Sequence, residues 1–459
     1  MERDDRKVMR MLLRIHEMPF YRCMTALRFD TVLAVGVELG QLKTLRWLTP
    51  KLKNAAAHST TTTIFQAHGI LDIAIAKGNL AMMQWLQDTF PDACNASVSP
   101  FVIVSAPKEV RFQVAHWLHA HEYSDRCLLS ARVINFVAEQ GDLVTLRFLH
   151  NALGSETSID VFTSATMDIA ASCGHMELVR FLHQRRDEGC TTRAMDLAAQ
   201  HGDLEIVRFL HQHRREGCST AAMDDAAAYG HMDVVKFLHT YRNEGCTQKA
   251  MDMAARNGHI DIVQFLHDRR REGCTQDAMD QAASRGHLQI VQFLHVHRSE
   301  GCTTAAMDGA ASAGHLDIVR FLHENRDEGC TTDAMDRAAQ NGHLDVVRFL
   351  HENRAEGCTR AAMNSAASHD HLEIVEFLHT HRSEGCSKRA LSSAARHGFA
   401  KVVQFLVENR MEGCAEEALR AAYRNGRFEV ARYLHDRGFM GNVSKCVISC
   451  CCPTILQYS

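Results

Sequence analysis

Proline is scarce in this chain. Its six prolines, Pro19, Pro50, Pro91, Pro100, Pro107 and Pro453, leave everything between the last two without one. Proline belongs in loops and element ends, so loops should be longer in the amino-terminal third and minimal afterwards. Long apolar runs are missing too: nothing approaches the roughly eighteen residues of a bilayer-crossing helix. The first twenty residues, MERDDRKVMRMLLRIHEMPF, lack the apolar run of a signal peptide and read as an amphipathic capping helix. Without an export signal, the glycosylation triplets at Asn95 and Asn442 read as chance, and the expected compartment is the cytoplasm, with the nucleus left open. Charge of one sign is also lacking. A formal charge of -4 and a pI near 6.7 give no bulk attraction to nucleic acid or anionic membrane. No glycine-rich phosphate loop, H-E-x-x-H, G-x-S-x-G or kinase-type motif occurs, which argues against an enzyme and against a cofactor.

What the chain does have is repetition. Cys190, Cys218, Cys246, Cys274, Cys302, Cys330, Cys358, Cys386 and Cys414 stand at a constant interval of 28 residues. Each lies in one copy of a sentence typified by Gly314 to Asn341, GHLDIVRFLHENRDEGCTTDAMDRAAQN. A fixed period in this range marks a stack of units that mainly touch their neighbours. Within a copy, Thr331 or Thr332 is a candidate N-cap, and Ala334, Met335, Ala338 and Ala339 follow at helical spacing through Gln340. Gly342 supplies a left-handed stop. The next segment, His343 to about Arg354, carries Leu344, Val346, Val347, Phe349 and Leu350, a stripe wide enough for a helix buried on more than one side. Most copies place an acid in its first turn and an Arg in its last, as the helix dipole favours. Glu356, Gly357 and Cys358 then make the turn to the next copy.

The string A-A-x-x-G-H-L-x-V-V followed by an aromatic-Leu pair resembles the ankyrin repeat. Asp333-Ala334-Met335-Asp336 stands where that family has T-P-L-H, so the Pro kink and the His hydrogen bonds of the motif are absent. The copy is shorter, 28 residues against about 33 in ankyrin, and the shortfall lies where ankyrin proteins project a β-hairpin. Aligning on Trp47-Leu48, Trp85-Leu86, Trp117-Leu118 and Phe148-Leu149 puts the glycine slot at Gly40, Gly78, Val110, Gly141 and Gly174, with Asp370 replacing a later glycine. The resemblance implies an all-α, ankyrin-like helix-pair solenoid of about fourteen stacked repeats, hairpins trimmed or absent. The expected organisation is a capping helix region at 1-30, degenerate ankyrin-like repeats with longer loops at 31-164, a regular array at 165-441 and a cysteine-rich tail at 442-459.

Three ladders invite chemical readings. Packed helices lie about 8 to 10 Å apart, too far for successive cysteines to form disulfides, which need Cα atoms within about 7 Å. The same distance keeps two of them from sharing a zinc. Each Cys reads as a small, buried apolar residue in a tight turn. The histidines after the aromatic-Leu pair, such as His183 and His351, and those after the glycine slot, such as His287 and His343, are copied rather than singular. They read as hydrogen-bonding residues at helix ends, not as catalytic or metal-binding groups. Arg186 through Arg410, each followed two residues later by a glutamate, form either a basic stripe for an acidic partner or a set of self-neutralised turns.

Specificity should reside where copies differ. Three first-helix slots vary: one contains Arg193, Lys249, Asp277 and Asp333, a second Met253, Gln281 and Arg337, and a third Tyr229 and Arg285. Mere solvent exposure explains such variation equally well. In the proteins this chain resembles, however, the first helices line a concave face that grips partners. The expectation is a non-enzymatic scaffold that binds another protein there, with no nucleic acid and no transmembrane segment. The alternative is an adaptor recruiting a client to a machine such as a ubiquitin ligase, for which no second module is recognisable. The tail cysteines Cys450, Cys451 and Cys452 are candidates for S-acylation, the single route to membrane association, against an inert chain end.

Overall fold

The computed structural model describes residues 33–57, 69–99, 101–123, 127–128, 130–153 and 161–438. The capping helix expected at 1-30 and the tail with Cys450, Cys451 and Cys452 lie outside these residues. Among the described residues every regular element is helical and none is a strand. The helices come as four pairs up to residue 153 and ten from residue 164 onward, fourteen in all. The chain is an ankyrin-like helix-pair solenoid, and among the described residues its helix-to-helix connectors carry no hairpin.

One repeat shows why these residues fold this way. Thr331 caps the helix Thr332–Gln340, its Oγ1 accepting the Asp333 N–H at 3.1 Å. Ala334, Met335, Ala338 and Ala339 are buried, and small alanines allow first helices of successive repeats to lie closely side by side. Gly342, at φ +84, turns the chain into the second helix, Leu344–Asn353. There Val346, Val347 and Leu350 are buried, while Leu344 and Phe349 are half-buried. Asp370 takes the left-handed turn at φ +65 in place of glycine, a conformation Asp tolerates better than most side chains.

The described residues fall into two compact blocks, divided after Ser219. The first holds six pairs, including the irregular ones; it has an extra helix, Pro91–Ser97, and a 3-10 turn, Lys108–Val110, at the slot where other copies have glycine. There the residue after the slot is a buried Arg111, which pairs with the buried Asp142 at 3.5 Å. The second block holds eight pairs of nearly uniform geometry.

Hydrogen bonds expected to be lost with the missing T-P-L-H histidine are in fact replaced. The aspartate of the A-M-D segment reaches forward to the N-cap of the next repeat. Asp308 accepts the Thr331 N–H at 2.8 Å and the Thr331 hydroxyl at 2.7 Å. The same latch joins Asp168 to Thr191 and Asp196 to Ser219 in the first block. In the second it joins Asp224 to Thr247, Asp252 to Thr275, Asp280 to Thr303 and Asp336 to Thr359. In the repeat that follows, Asn364 serves Ser387 through Oδ1 alone, at 2.9 and 3.3 Å. One threonine is thus cap and cross-link together. Asp308→Ala should lower stability by about 1 to 2 kcal/mol, read as a lower urea midpoint. Asp308→Asn, which copies the Asn364 arrangement, should stay close to the parent. An Asp308→Ala variant that unfolds at the parent's midpoint would show that the forward hydrogen bonds contribute nothing.

Candidate functional site

The repeated polar side chains are consumed at the junctions between repeats. Cys190 to Cys386 in the ladder are buried free thiols, and burial first, then the neighbouring glutamate, pushes Cys190 and Cys274 up to about 12. Such thiols are not nucleophiles at neutral pH. Each Arg of the third ladder pairs with the Glu two residues on, from Arg186 with Glu188 to Arg410 with Glu412. The pairs are half-buried, except that Glu412 is exposed. Glu356 also takes the backbone N–H of Cys330 from the preceding repeat at 3.5 Å. Its hydrogen bond to Arg354, outweighing burial, holds its carboxyl down to about 2. Gly329 must be glycine: its φ is +74, and a Cβ there would sit 2.4 Å from the Arg354 guanidinium. The Arg ladder therefore closes turns and is not a free basic stripe.

Both histidine ladders are structural as well. Those after the aromatic-Leu pair set a ring edge against the phenylalanine of the next repeat, with centroids 5.4 Å apart for His183 and Phe209 and for His239 and Phe265. Beside them stands the next arginine, and Arg410 Nη1 donates to His379 Nδ1 at 3.3 Å. Burial first, then the arginine, lowers the pKa of His183 and His239. The histidines after the glycine slot reach back: His371 Nε2 bonds the Gln340 carbonyl at 3.1 Å, with its ring over Gly342. Among the described residues no three His, Cys, Asp or Glu side chains converge as a metal site.

The variable slots are placed differently. In the first block Arg193 is exposed on the helix Thr192–Gln200. In the second, Tyr229, Lys249, Asp277, Gln281, Arg285, Asp333 and Arg337 are exposed and Met253 is half-buried. Lys249 with Met253, Asp277 with Gln281 and Asp333 with Arg337 are each one helical turn apart, on first helices that pack in succession from residue 221 to 340. Lys249 pairs with Asp225 of the preceding repeat at 3.3 Å, and Arg337 with Asp333 at 2.9 Å.

The third slot is partly structural, since Asn257 and Asn341 donate across the junction to the Ala228 and Ser312 carbonyls, each at 2.7 Å. An asparagine recurring in a slot otherwise free to vary was the signal for this. On the second helices, Arg320 and Arg348 cover the rings of Phe349 and Phe377 at 5.5 and 5.9 Å, so they are not inert surface.

A family model described as ankyrin repeats in three copies matches residues 195–280, 279–361 and 362–445, and a second, ankyrin repeats in many copies, matches 167–211. Together they cover more than half of the chain. The chain belongs to the ankyrin repeat family. No curated protein matches it. As an ankyrin array it is distinguished by its junction chemistry, with the Asp latch in the slot of the family histidine and an Arg-Glu turn in place of the hairpin.

That junction chemistry fixes a pH dependence for the ankyrin array. His183, His239, His287 and His343 have pKa values lowered from 6.5 in the folded state, chiefly by burial, so folding releases protons. Their contribution is complete above that value and shrinks as pH falls below it. Glu216 and Glu356, near 2 against 4.5 unfolded, add a second loss as pH falls from 4.5 towards 2. Asp252, Asp280 and Asp308, raised by burial, offset part of that second loss. The melting temperature should be highest at about pH 7 to 8, below the range in which the buried thiols would ionise on unfolding, and fall steadily towards pH 5. A melting temperature flat over that interval, measured by scanning fluorimetry, would contradict the neutral histidine junctions.

Proposed function

We propose that the chain is a non-enzymatic scaffold that binds a partner protein through the exposed face of its first helices. Ankyrin repeats are a protein–protein interaction module, and among the described residues no helix is long and apolar enough to cross a membrane. One observation carries the reading. Residues buried or spent at junctions are nearly the same in every copy, whereas the exposed first-helix residues from Tyr229 to Arg337 change charge and size from copy to copy. The exposed ion pairs Lys249 with Asp225 and Arg337 with Asp333 hold little stability, so these side chains can exchange their partners for those of a bound surface at small cost. The proposal assigns no cofactor, no metal and no nucleic acid.

The test uses the protein retained by the intact chain in a pull-down and identified by mass spectrometry. Replacing Lys249, Met253, Asp277, Gln281, Asp333 and Arg337 by Ala or Ser should leave melting nearly unchanged and weaken that partner at least roughly tenfold, because a few central side chains usually carry most of an interface's energy. The control set is Gln264→Ala, Gln292→Ala, Glu324→Ala and Glu352→Ala, all exposed on second helices. Loss of the partner in the control but not in the first-helix variant would place recognition on the second helices.

A further inference from the structure

Two successive first helices, Arg360–Ser368 and Lys388–His397, contain no acidic residue. This departs from the preceding regular repeats, where every first helix from Ser164–Ser172 to Thr332–Gln340 carries the latch aspartate. Here Asn364 and Ser392 occupy that slot. With the acids gone, the exposed surface of these helices carries Arg360, Lys388, Arg389 and Arg396. Arg389 and Arg396 are seven residues apart, two helical turns, and so share one face. The helix Ala415–Arg424 packs beside them and puts Arg424 in the slot of Arg396. Its two acids are occupied: Glu416 pairs with Arg420, and Glu417 faces Lys388 at 3.7 Å. Among the described residues the guanidiniums of Arg389, Arg396 and Arg424 bond to nothing. Between them lie half-buried serines, Ser365, Ser368 and Ser393, too small to block an approaching chain.

We propose that this face binds an acidic, carboxylate-rich peptide segment of a partner protein. The inference rests on the reading of the first helices as the recognition face and names the chemistry at its carboxy-terminal end. Three unpaired arginine forks suit carboxylates, which they grip bidentately. An extended nucleic acid suits the surface less well. The two helices present no Phe, Tyr or Trp on which bases could stack, and the second helices of the same repeats carry Glu373, Glu376 and Glu408.

The experiment is fluorescence anisotropy with the full chain and a labelled peptide of ten glutamates, beside a ten-lysine peptide and a ten-nucleotide thymidine strand. The glutamate peptide should bind and the lysine peptide should not. Raising salt from roughly 50 to 300 mM should weaken binding, since the charges are exposed. The triple variant Arg389→Gln, Arg396→Gln and Arg424→Gln should lose at least tenfold in affinity while melting like the parent, and Arg389→Glu with Arg396→Glu should abolish binding. No binding of the glutamate peptide, an unchanged affinity in the triple variant, or tighter binding of the thymidine strand through the same arginines would overturn the proposal. Failure here is separable from failure of the scaffold reading. The six-site variant at Lys249 to Arg337 leaves this surface intact, so it should bind the glutamate peptide normally while losing its own partner.

Discussion

A carboxylate that leaves its own repeat to meet the next one is the interaction on which the array depends. Asp308 holds both the N–H and the hydroxyl of Thr331, and Thr331 in turn caps the helix that begins there. The start of each first helix from Thr192–Gln200 to Lys388–His397 is thereby tied to the middle of the one before it, 23 residues back. This fixes the spacing of the copies more tightly than apolar packing could. Two hydrogen bonds to one carboxylate add a directional constraint to the close packing of alanines and leucines. A helix pair alone cannot bury its apolar face, so stability accrues only as neighbours add, and the latch sets where each neighbour sits.

Other polar ladders follow the same logic. The turn glutamates serve their own arginines and, as Glu356 does for Cys330, the preceding cysteine's N–H; histidines after the glycine slot, such as His371, reach back to a carbonyl, and second-helix histidines such as His323 pack on the next phenylalanine. These side chains would look functional in a single-copy protein. Here they are the mortar, and what remains for recognition is the part of each first helix that no neighbour uses. Where the latch aspartate gives way to Asn364 and then Ser392, the surface turns basic, so the two roles trade against one another within one helix.

Much of this was legible in the sequence because repetition supplies its own comparison. The interval between cysteines gave the period, and capping and glycine signals placed a helix from Thr331 or Thr332 to Gln340, against an observed Thr332–Gln340. The exposure of Arg193, Lys249, Asp277 and Arg337 was also anticipated from their variation. The latch was not, because an aspartate inside a helix announces no partner and its threonine lies in another copy. For the same reason nothing in the sequence marks the carbonyl partner of Asn257 or the ring partners of Arg320 and Arg348. In the irregular early repeats, Val110 and the buried Arg111 follow no pattern that comparison between copies could expose.

A double-mutant cycle on Asp308 and Thr331 tests the latch most directly. Asp308→Ala, Thr331→Ala and the double variant would be compared by equilibrium unfolding, with Asp308 and Thr359 as a pair that makes no contact. The account predicts a coupling of about 1 kcal/mol or more between Asp308 and Thr331, within the range for residues sharing hydrogen bonds, and none between Asp308 and Thr359. Additive losses at Asp308 and Thr331 would contradict it, leaving the threonine as a cap only and the aspartate without a part in joining the repeats.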